Sequence, residues 1–202
     1  MKFDIVRADQ VGTDIREQMA AIFAEGFSQW LGYFSKDPQV IAKAFAHMFV
    51  LDQFYVAMSG DTVAGFVGCT DCIAKSVVLD GRQLRKHLGF MKGSIAALVL
   101  KKEFESPMQN PQPRTGSIEF VGTAAAFRGQ GAASQILRYV IEHTPYETYL
   151  IEEVADTNVP AMSLYQKLGF QEYKSRTLSQ KEAKKIGINR FVSFRYSPNQ
   201  PC

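Results

Sequence analysis

The sequence has no long apolar run and little cysteine or histidine, and each shortage excludes a class of protein. No segment reaches the roughly 18 consecutive apolar residues that predict a membrane-spanning helix. Residues 1–4 lead directly into a strand pattern rather than into a secretory signal. We therefore expect a cytoplasmic protein without a membrane partner.

The three cysteines and three histidines do not form a metal or redox pattern. Cys69 and Cys72 have the C-x-x-C spacing, but no second pair follows, and Cys202 ends the sequence. A structural zinc site usually takes four such ligands. A redox dithiol is expected to open a helix, whereas this pair follows a strand pattern. We expect ordinary buried thiols and no metal.

The near balance of charge argues against a nucleic-acid partner. Lys and Arg number 23 and Asp and Glu number 20, so the net charge is only +3 and gives little bulk attraction to a polyanion. Several basic residues lie close together in the sequence: Arg82, Arg85, Lys86, Lys101 and Lys102. They most simply form a solvated helix face, and the alternative is a collar over a bound substrate.

The pattern of apolar residues predicts an α/β fold. With 202 residues and 46% hydrophobic side chains, the chain can bury a sizeable core, and we expect a single domain over residues 1–202. Strand patterns occupy residues 3–7, 54–58, 63–69, 117–123, 148–154, 171–174 and 190–196. Helix patterns separate most of them, which predicts a mixed, mostly antiparallel sheet with helices on both faces.

Segment 73–113 is predicted to be a helical insertion after the third strand. Residues 83–105 have a helical pattern that Gly89 and Gly93 are expected to break into two pieces. The prolines of segment 107–113 exclude a continued helix and predict a loop that returns the chain to the sheet.

A glycine-rich turn joins the strand at 117–123 to an apolar-periodic helix. The first N–H groups of a helix have no intrahelical acceptor and lie at the positive end of its dipole, so such a turn can bind an anion. Small residues here would let a diphosphate approach the backbone: Gly129, Gly131, Ala132 and Ala133. Arg128 would add positive charge at the rim. Taken alone, the turn is better explained as a plain helix start than as an anion site.

A second motif, N-x-x-A-x-x-L-Y-x-K-L-G-F, occupies residues 158–170. Asn158 lies where a helix N-cap is expected, and Gly169 supplies the helix stop. A capped amphipathic helix explains those residues. It does not require Tyr165 or Phe170.

Together, in this order, the two motifs resemble the acyl-coenzyme A site of the GNAT family, the Gcn5-related N-acetyltransferases. The resemblance is close over residues 117–173. It implies a GNAT-like fold, acetyl-CoA as cosubstrate, and direct attack of an amine without a covalent enzyme intermediate. It also implies cofactor contacts from Val121, Gly122, Thr123, Arg128, Gly129, Gln130, Gly131, Ala132, Ala133, Asn158 and Tyr165. Tyr165 would lie by the sulfur and protonate the departing thiolate.

Carboxylates near this region are candidates for the base that deprotonates the amine. Strand alternation predicts that Glu119 shares one polar face with Val121 and Thr123, which would line a cleft. The alternative is a glutamate paired with a nearby Arg or Lys. Glu152 and Glu153 are adjacent, so they are predicted to face opposite sides and at most one, acting through a water, would share the cleft with Glu119.

The acceptor has no recognisable signature, and a small-molecule or peptide amine would both suit the aromatic segment 30–34 and the insertion. Two other functions stay open: a non-catalytic acyl-coenzyme A sensor on the same fold, and a basic nucleic-acid-binding protein, which the aromatic residues on apolar faces disfavour. A homodimer is also open.

Overall fold

The computed structural model describes residues 1–106 and 112–198, and a seven-stranded mixed sheet is its centre. In chain order the strands are β1 (Asp4–Arg7), β2 (Phe54–Ser59), β3 (Thr62–Thr70), β4 (Thr115–Thr123), β5 (Thr148–Ala155), β6 (Gln171–Thr177) and β7 (Arg190–Tyr196). Across the sheet their order is β1-β2-β3-β4-β5-β7-β6. Among the strands of the described residues, only β4 and β5 pair in parallel, so the predicted mixed, mostly antiparallel sheet is confirmed.

Helices cover both faces of this sheet, as predicted. They are α1 (Arg16–Gly26), α2 (Ser28–Leu31), α3 (Pro38–Phe45), α4 (Gly81–Leu88), α5 (Phe90–Phe104), α6 (Ala132–His143), α7 (Val159–Lys167) and α8 (Gln180–Ile186). One buried cluster, the α1-side core, includes Phe23, Phe45 and Phe66. The other, the α6-side core, includes Ile136 and Val67.

Polar caps fix where the helices before β2 begin. Asp37 accepts a hydrogen bond from the Gln39 N–H at 2.8 Å, and Pro38 occupies the first turn. Asp14 accepts from the Arg16 N–H at 3.0 Å, at the start of α1. These two carboxylates mark the starts of α1 and α3, and α3 ends at Phe45.

The insertion after β3 is a helical hairpin, but only one of its two glycines is a break. Gly89 has φ 79° and separates α4 from α5. Gly93 lies inside α5, where an added Cβ would stand 2.5 Å from Arg85 Cα. The expected break at Gly93 is therefore wrong, because that glycine allows close packing of the two helices. Most of the predicted loop at 107–113 lies outside the described residues.

The sheet opens between its two parallel strands. Among the described residues, β4 and β5 pair at only three positions, the last of which joins Ser117 to Leu150. Each strand then bulges at a non-glycine residue with positive φ, 48° at Phe120 and 52° at Glu153. A bulge bends its strand and disrupts local pairing. The result is a wedge that exposes the β5-facing backbone edge of β4.

Candidate active site

The turn between β4 and α6 has the glycine geometry that the sequence predicts. Gly129 and Gly131 have φ 74° and 87°, a left-handed conformation that favours glycine. An added Cβ would meet nothing within 4 Å at Gly129 and only Gln135 Nε2, at 3.5 Å, at Gly131. Neither glycine is needed to avoid a clash within the chain, so the backbone of the turn is open on its outer side.

The first turn of α6 presents backbone donors at this opening. Gly131 is its N-cap and has no side chain to satisfy them, and the first N–H groups of a helix have no intrahelical acceptor. Within the described part of the chain, no hydrogen bond joins the N–H groups of Ala132 and Ala133 to another residue. These donors fit a diphosphate.

Gln130 and Arg128 frame the turn in different ways. The Gln130 side chain donates to the Ala126 carbonyl at 2.7 Å, so in the free protein it braces the turn. Arg128, in the same turn, pairs with Glu25 of α1 at 2.9 Å. Both partners are about half exposed, and such pairs contribute only about 0.2–1 kcal/mol. Arg128 can therefore exchange this partner for a phosphate at little cost.

The bulge at Phe120 changes which residues of β4 share a face. Val121 packs against the α6-side core, and Thr123 approaches the same side near Ala132. Glu119 instead lines a small cavity with Phe104, a residue packed on the α1-side core. The predicted common face of Glu119, Val121 and Thr123 is therefore wrong, because the bulge shifts the alternation by one residue.

Hydroxyl groups, not cations, hold the Glu119 carboxylate. Thr70 donates to Oε1 at 3.2 Å, and Ser76 donates to Oε2 at 2.5 Å. No Lys or Arg of the described ranges forms an ion pair with it. The adjoining cavity is about 20 Å³, enough for one water molecule. Glu119 thus lies beside a space that could hold a water able to carry a proton to it.

The other two candidate carboxylates lie at the bulge of β5. Ile151 and Val154 both pack in the α6-side core, so the two residues between them both turn away from it. Glu152 accepts hydrogen bonds from Tyr173 and from Ser193, the latter at 2.6 Å. The prediction that Glu152 and Glu153 face opposite sides is therefore wrong.

Electrostatic effects distinguish these two carboxylates. Glu153 forms an ion pair with Arg176 at 2.9 Å, which fits the paired-glutamate alternative. Glu152 lies in a neutral network, and burial together with the hydrogen bond to Glu152 raises the pKa of Tyr173. Tyr173 consequently stays protonated and remains a donor. No local pattern marks Tyr173 or Ser193, which reach Glu152 only through the pairing of β5, β7 and β6.

Tyr165 is a buried tyrosine with an unused hydroxyl. It is 4% exposed, and its ring packs on Phe194 and Phe170 with centroid distances of 5.7 and 6.1 Å. Its hydroxyl makes no hydrogen bond to another described residue. Burial raises its pKa. The side chain belongs to the same core as Ile118 of β4, and it is available as a protonated donor.

Asn158 and the two cysteines have structural roles. The Asn158 side chain caps α7 by accepting from the Ala161 N–H at 3.3 Å, as predicted. Cys69 and Cys72 are buried free thiols, and Cys72 Sγ donates to the Thr115 carbonyl at 3.3 Å. Burial, then the charges of Glu119 and neighbouring carboxylates, raise the pKa of Cys72 to about 11. Neither thiol suits a nucleophile at neutral pH.

The described residues contain neither a cluster of metal ligands nor a membrane-spanning helix. No group of three or more His, Cys, Asp or Glu side chains there could hold a metal ion. Within the same residues, every helix is too short or too polar to cross a membrane.

The chain is similar to a known protein family in sequence and to solved structures in fold. Residues 17–170 match the Acetyltransferase (GNAT) family, whereas no curated protein matches the sequence. An N-acetyltransferase from Staphylococcus aureus Mu50 has a TM-score of 0.62 at 16% identity, covering 96% of this chain and 100% of that one. PH1933 from Pyrococcus horikoshii OT3 has a TM-score of 0.57 at 18% identity, covering 98% of this chain and 100% of that one. A GCN5-related N-acetyltransferase from Kribbella flavida has a TM-score of 0.56 at 15% identity, covering 96% of this chain and 97% of that one. At identities this low, the structural similarity shows that the fold is shared and nothing more.

Proposed function

Because the chain belongs to the Acetyltransferase (GNAT) family, we propose that it transfers an acetyl group from acetyl-CoA to a primary amine. Family membership implies acyl transfer from acetyl-CoA, and the amine acceptor is our inference. The observation that carries the proposal is the wedge between β4 and β5, which lies beside the open N-terminus of α6.

Acetyl-CoA supplies the acyl group as an activated thioester. In our proposal the backbone of the 128–133 turn binds its diphosphate, with Arg128 exchanging Glu25 for a phosphate. The exposed edge of β4 over residues 121–123 binds the pantetheine arm through backbone N–H and carbonyl groups. Asn158 and Gln130 hold the adjoining helix and turn in shape.

Glu119 is the proposed base for the ammonium proton of the acceptor. Its two oxygens are fixed by neutral hydroxyls, its charge is not balanced by a cation, and a water-sized cavity adjoins it. Glu152 comes second, through a water. Glu153 is the weakest candidate, because its carboxylate is already engaged in an ion pair with Arg176.

Tyr165 is the proposed acid for the departing sulfur. Its raised pKa keeps the hydroxyl protonated at neutral pH, and a hydroxyl without a partner is free to donate. A backbone N–H of residues 121–123 would hold the thioester oxygen, as oxyanion donors do.

The test is a screen of acetyl-CoA turnover over small-molecule and peptide amines, read by release of the coenzyme A thiol. At least one amine should accelerate release and appear acetylated by mass spectrometry. If coenzyme A binds but every amine leaves the rate at the hydrolysis background, the protein is a non-catalytic sensor.

We also propose one domain over residues 1–202 and a cytoplasmic location. The unpaired thiols of Cys69 and Cys72 favour that location.

A further inference from the structure

The outward side of α5 carries large apolar side chains that nothing in the described chain covers. Their exposed fractions are 78% for Phe90, 77% for Met91, 40% for Ile95, 78% for Leu98 and 53% for Val99. The inward side is also apolar and packs on the α1-side core. Single exposed apolar residues are ordinary, but a contiguous group on one helix marks a binding surface.

The same helical hairpin accounts for the net positive charge of the molecule. Residues 81–104 contain six basic and one acidic residue, a net charge of +5, whereas the rest of the chain has −2. None of the six is buried: Arg82, Arg85, Lys86, Lys92, Lys101 and Lys102. The net charge of +3 for the whole chain therefore combines a strongly basic hairpin with a slightly acidic remainder.

We propose that the α4–α5 hairpin docks on an anionic lipid surface. An apolar helix face flanked by Lys and Arg is the pattern of helices that lie in the plane of a membrane interface. At 15 residues, α5 is too short to span a bilayer. The proposed binding is therefore peripheral, and it modifies the expectation that the protein has no membrane partner. Anionic lipids of the cytoplasmic leaflet supply the complementary charge.

Electrostatics favour this occupant over a second copy of the chain. A symmetric dimer formed through this face would bring two hairpins of charge +5 together, and like charges oppose such contact. An anionic surface gains from the same residues.

The hairpin is also fixed to the candidate active site. Glu105, directly after α5, is buried and accepts from Lys75 and from the Leu79 N–H, both at 2.9 Å. It lines the cavity beside Glu119. Docking through α5 would therefore hold Glu119, the proposed base for the acceptor, close to the lipid surface.

The test is co-sedimentation of the full chain with vesicles of phosphatidylcholine alone or of equal parts phosphatidylcholine and phosphatidylserine. We expect binding only to the anionic vesicles, weakening as salt is raised. Lys101→Glu/Lys102→Glu should lower the partition coefficient at least about twenty-five-fold, since each basic residue near such a surface contributes about fivefold. Met91→Ser/Leu98→Ser should lower it as well.

Matched controls on α8 are Lys184→Glu/Lys185→Glu and Ile186→Ser, which should bind as the parent does, and circular dichroism checks that every variant folds. Absence of binding to anionic vesicles overturns the proposal, and so does binding that the α5 variants leave unchanged. Sedimentation equilibrium that shows a dimer, lost in Met91→Ser/Leu98→Ser, would assign the face to a second copy instead.

Discussion

Glu119 owes its orientation to Thr70 and Ser76, which hold one carboxylate oxygen each. Glu119→Gln keeps the shape and removes the base, so kcat/KM near neutral pH should fall about 10²- to 10⁴-fold. The loss should shrink at high pH, where a primary amine with a pKa of about 10 deprotonates without help.

Glu153→Gln is the matched control for Glu119→Gln, because it removes a neighbouring carboxylate that an Arg already pairs. Its pH–rate profile should equal that of the parent. If Glu153→Gln or Glu152→Gln changes the profile and Glu119→Gln does not, the base lies on β5.

Tyr165 allows a test that separates catalysis from packing. Tyr165→Phe keeps the ring contacts with Phe170 and Phe194 and removes only a hydroxyl without a partner. We expect kcat to fall about 10- to 1000-fold while coenzyme A affinity and melting temperature stay close to those of the parent. Unchanged kcat in the folded variant would make Tyr165 a core residue alone.

The buried Cys72 thiol predicts a pH dependence of stability. Its pKa rises from 9.0 to about 11 on folding, so the folded state favours the protonated form. This contribution is fully present below about pH 9 and is lost as the pH rises towards about 11. The free energy of unfolding in urea should fall over that interval, and less so in Cys72→Ala. An equal fall in both proteins would show that other groups cause it.

Single site residues were predictable where a local pattern marks them. Asn158 has the N-cap position, and Gly129 and Gly131 have the turn position, so sequence alone identified them. Ser76 and Thr70 could not be found in this way. They meet Glu119 only because the chain returns to β4 across more than forty intervening residues.

Among the elements, the start of α6 carries the cofactor prediction. Gly131→Ala should forfeit the thermal stabilisation that coenzyme A gives, because the added methyl group stands where the diphosphate would approach. The parent protein should keep that stabilisation.

Gly187→Ala at the end of α8 is the control for backbone strain. Gly187 has φ 72°, close to 87° at Gly131, and an added Cβ there meets nothing within 4 Å. Both variants should lose about 1 kcal/mol of stability from the left-handed conformation, but only Gly131→Ala should lose the response to coenzyme A. An equal response in both would place the diphosphate elsewhere.

Elements with strong local signals were predicted well, and irregular ones were not. The start of α7 at Asn158 and the break between α4 and α5 at Gly89 follow from a cap residue and a turn glycine. The bulges at Phe120 and Glu153 have no such mark, because neither residue is a glycine although both have positive φ. Both errors about strand faces come from these two positions, since a bulge reverses the alternation after it.

For the whole molecule, the order of strands and helices was enough to predict the class of fold. The wedge was not derivable from residues alone, since it depends on where parallel pairing between β4 and β5 stops. The apolar and basic faces of the insertion also become one surface only once α4 and α5 pack together.

The most direct test of direct acetyl transfer at this wedge is initial-rate kinetics over a grid of acetyl-CoA and amine concentrations. Direct attack predicts intersecting double-reciprocal lines, and a protein that carries no acetyl group by mass spectrometry after incubation with acetyl-CoA alone. Parallel lines with an acetylated protein, the pattern of a covalent intermediate, would contradict it.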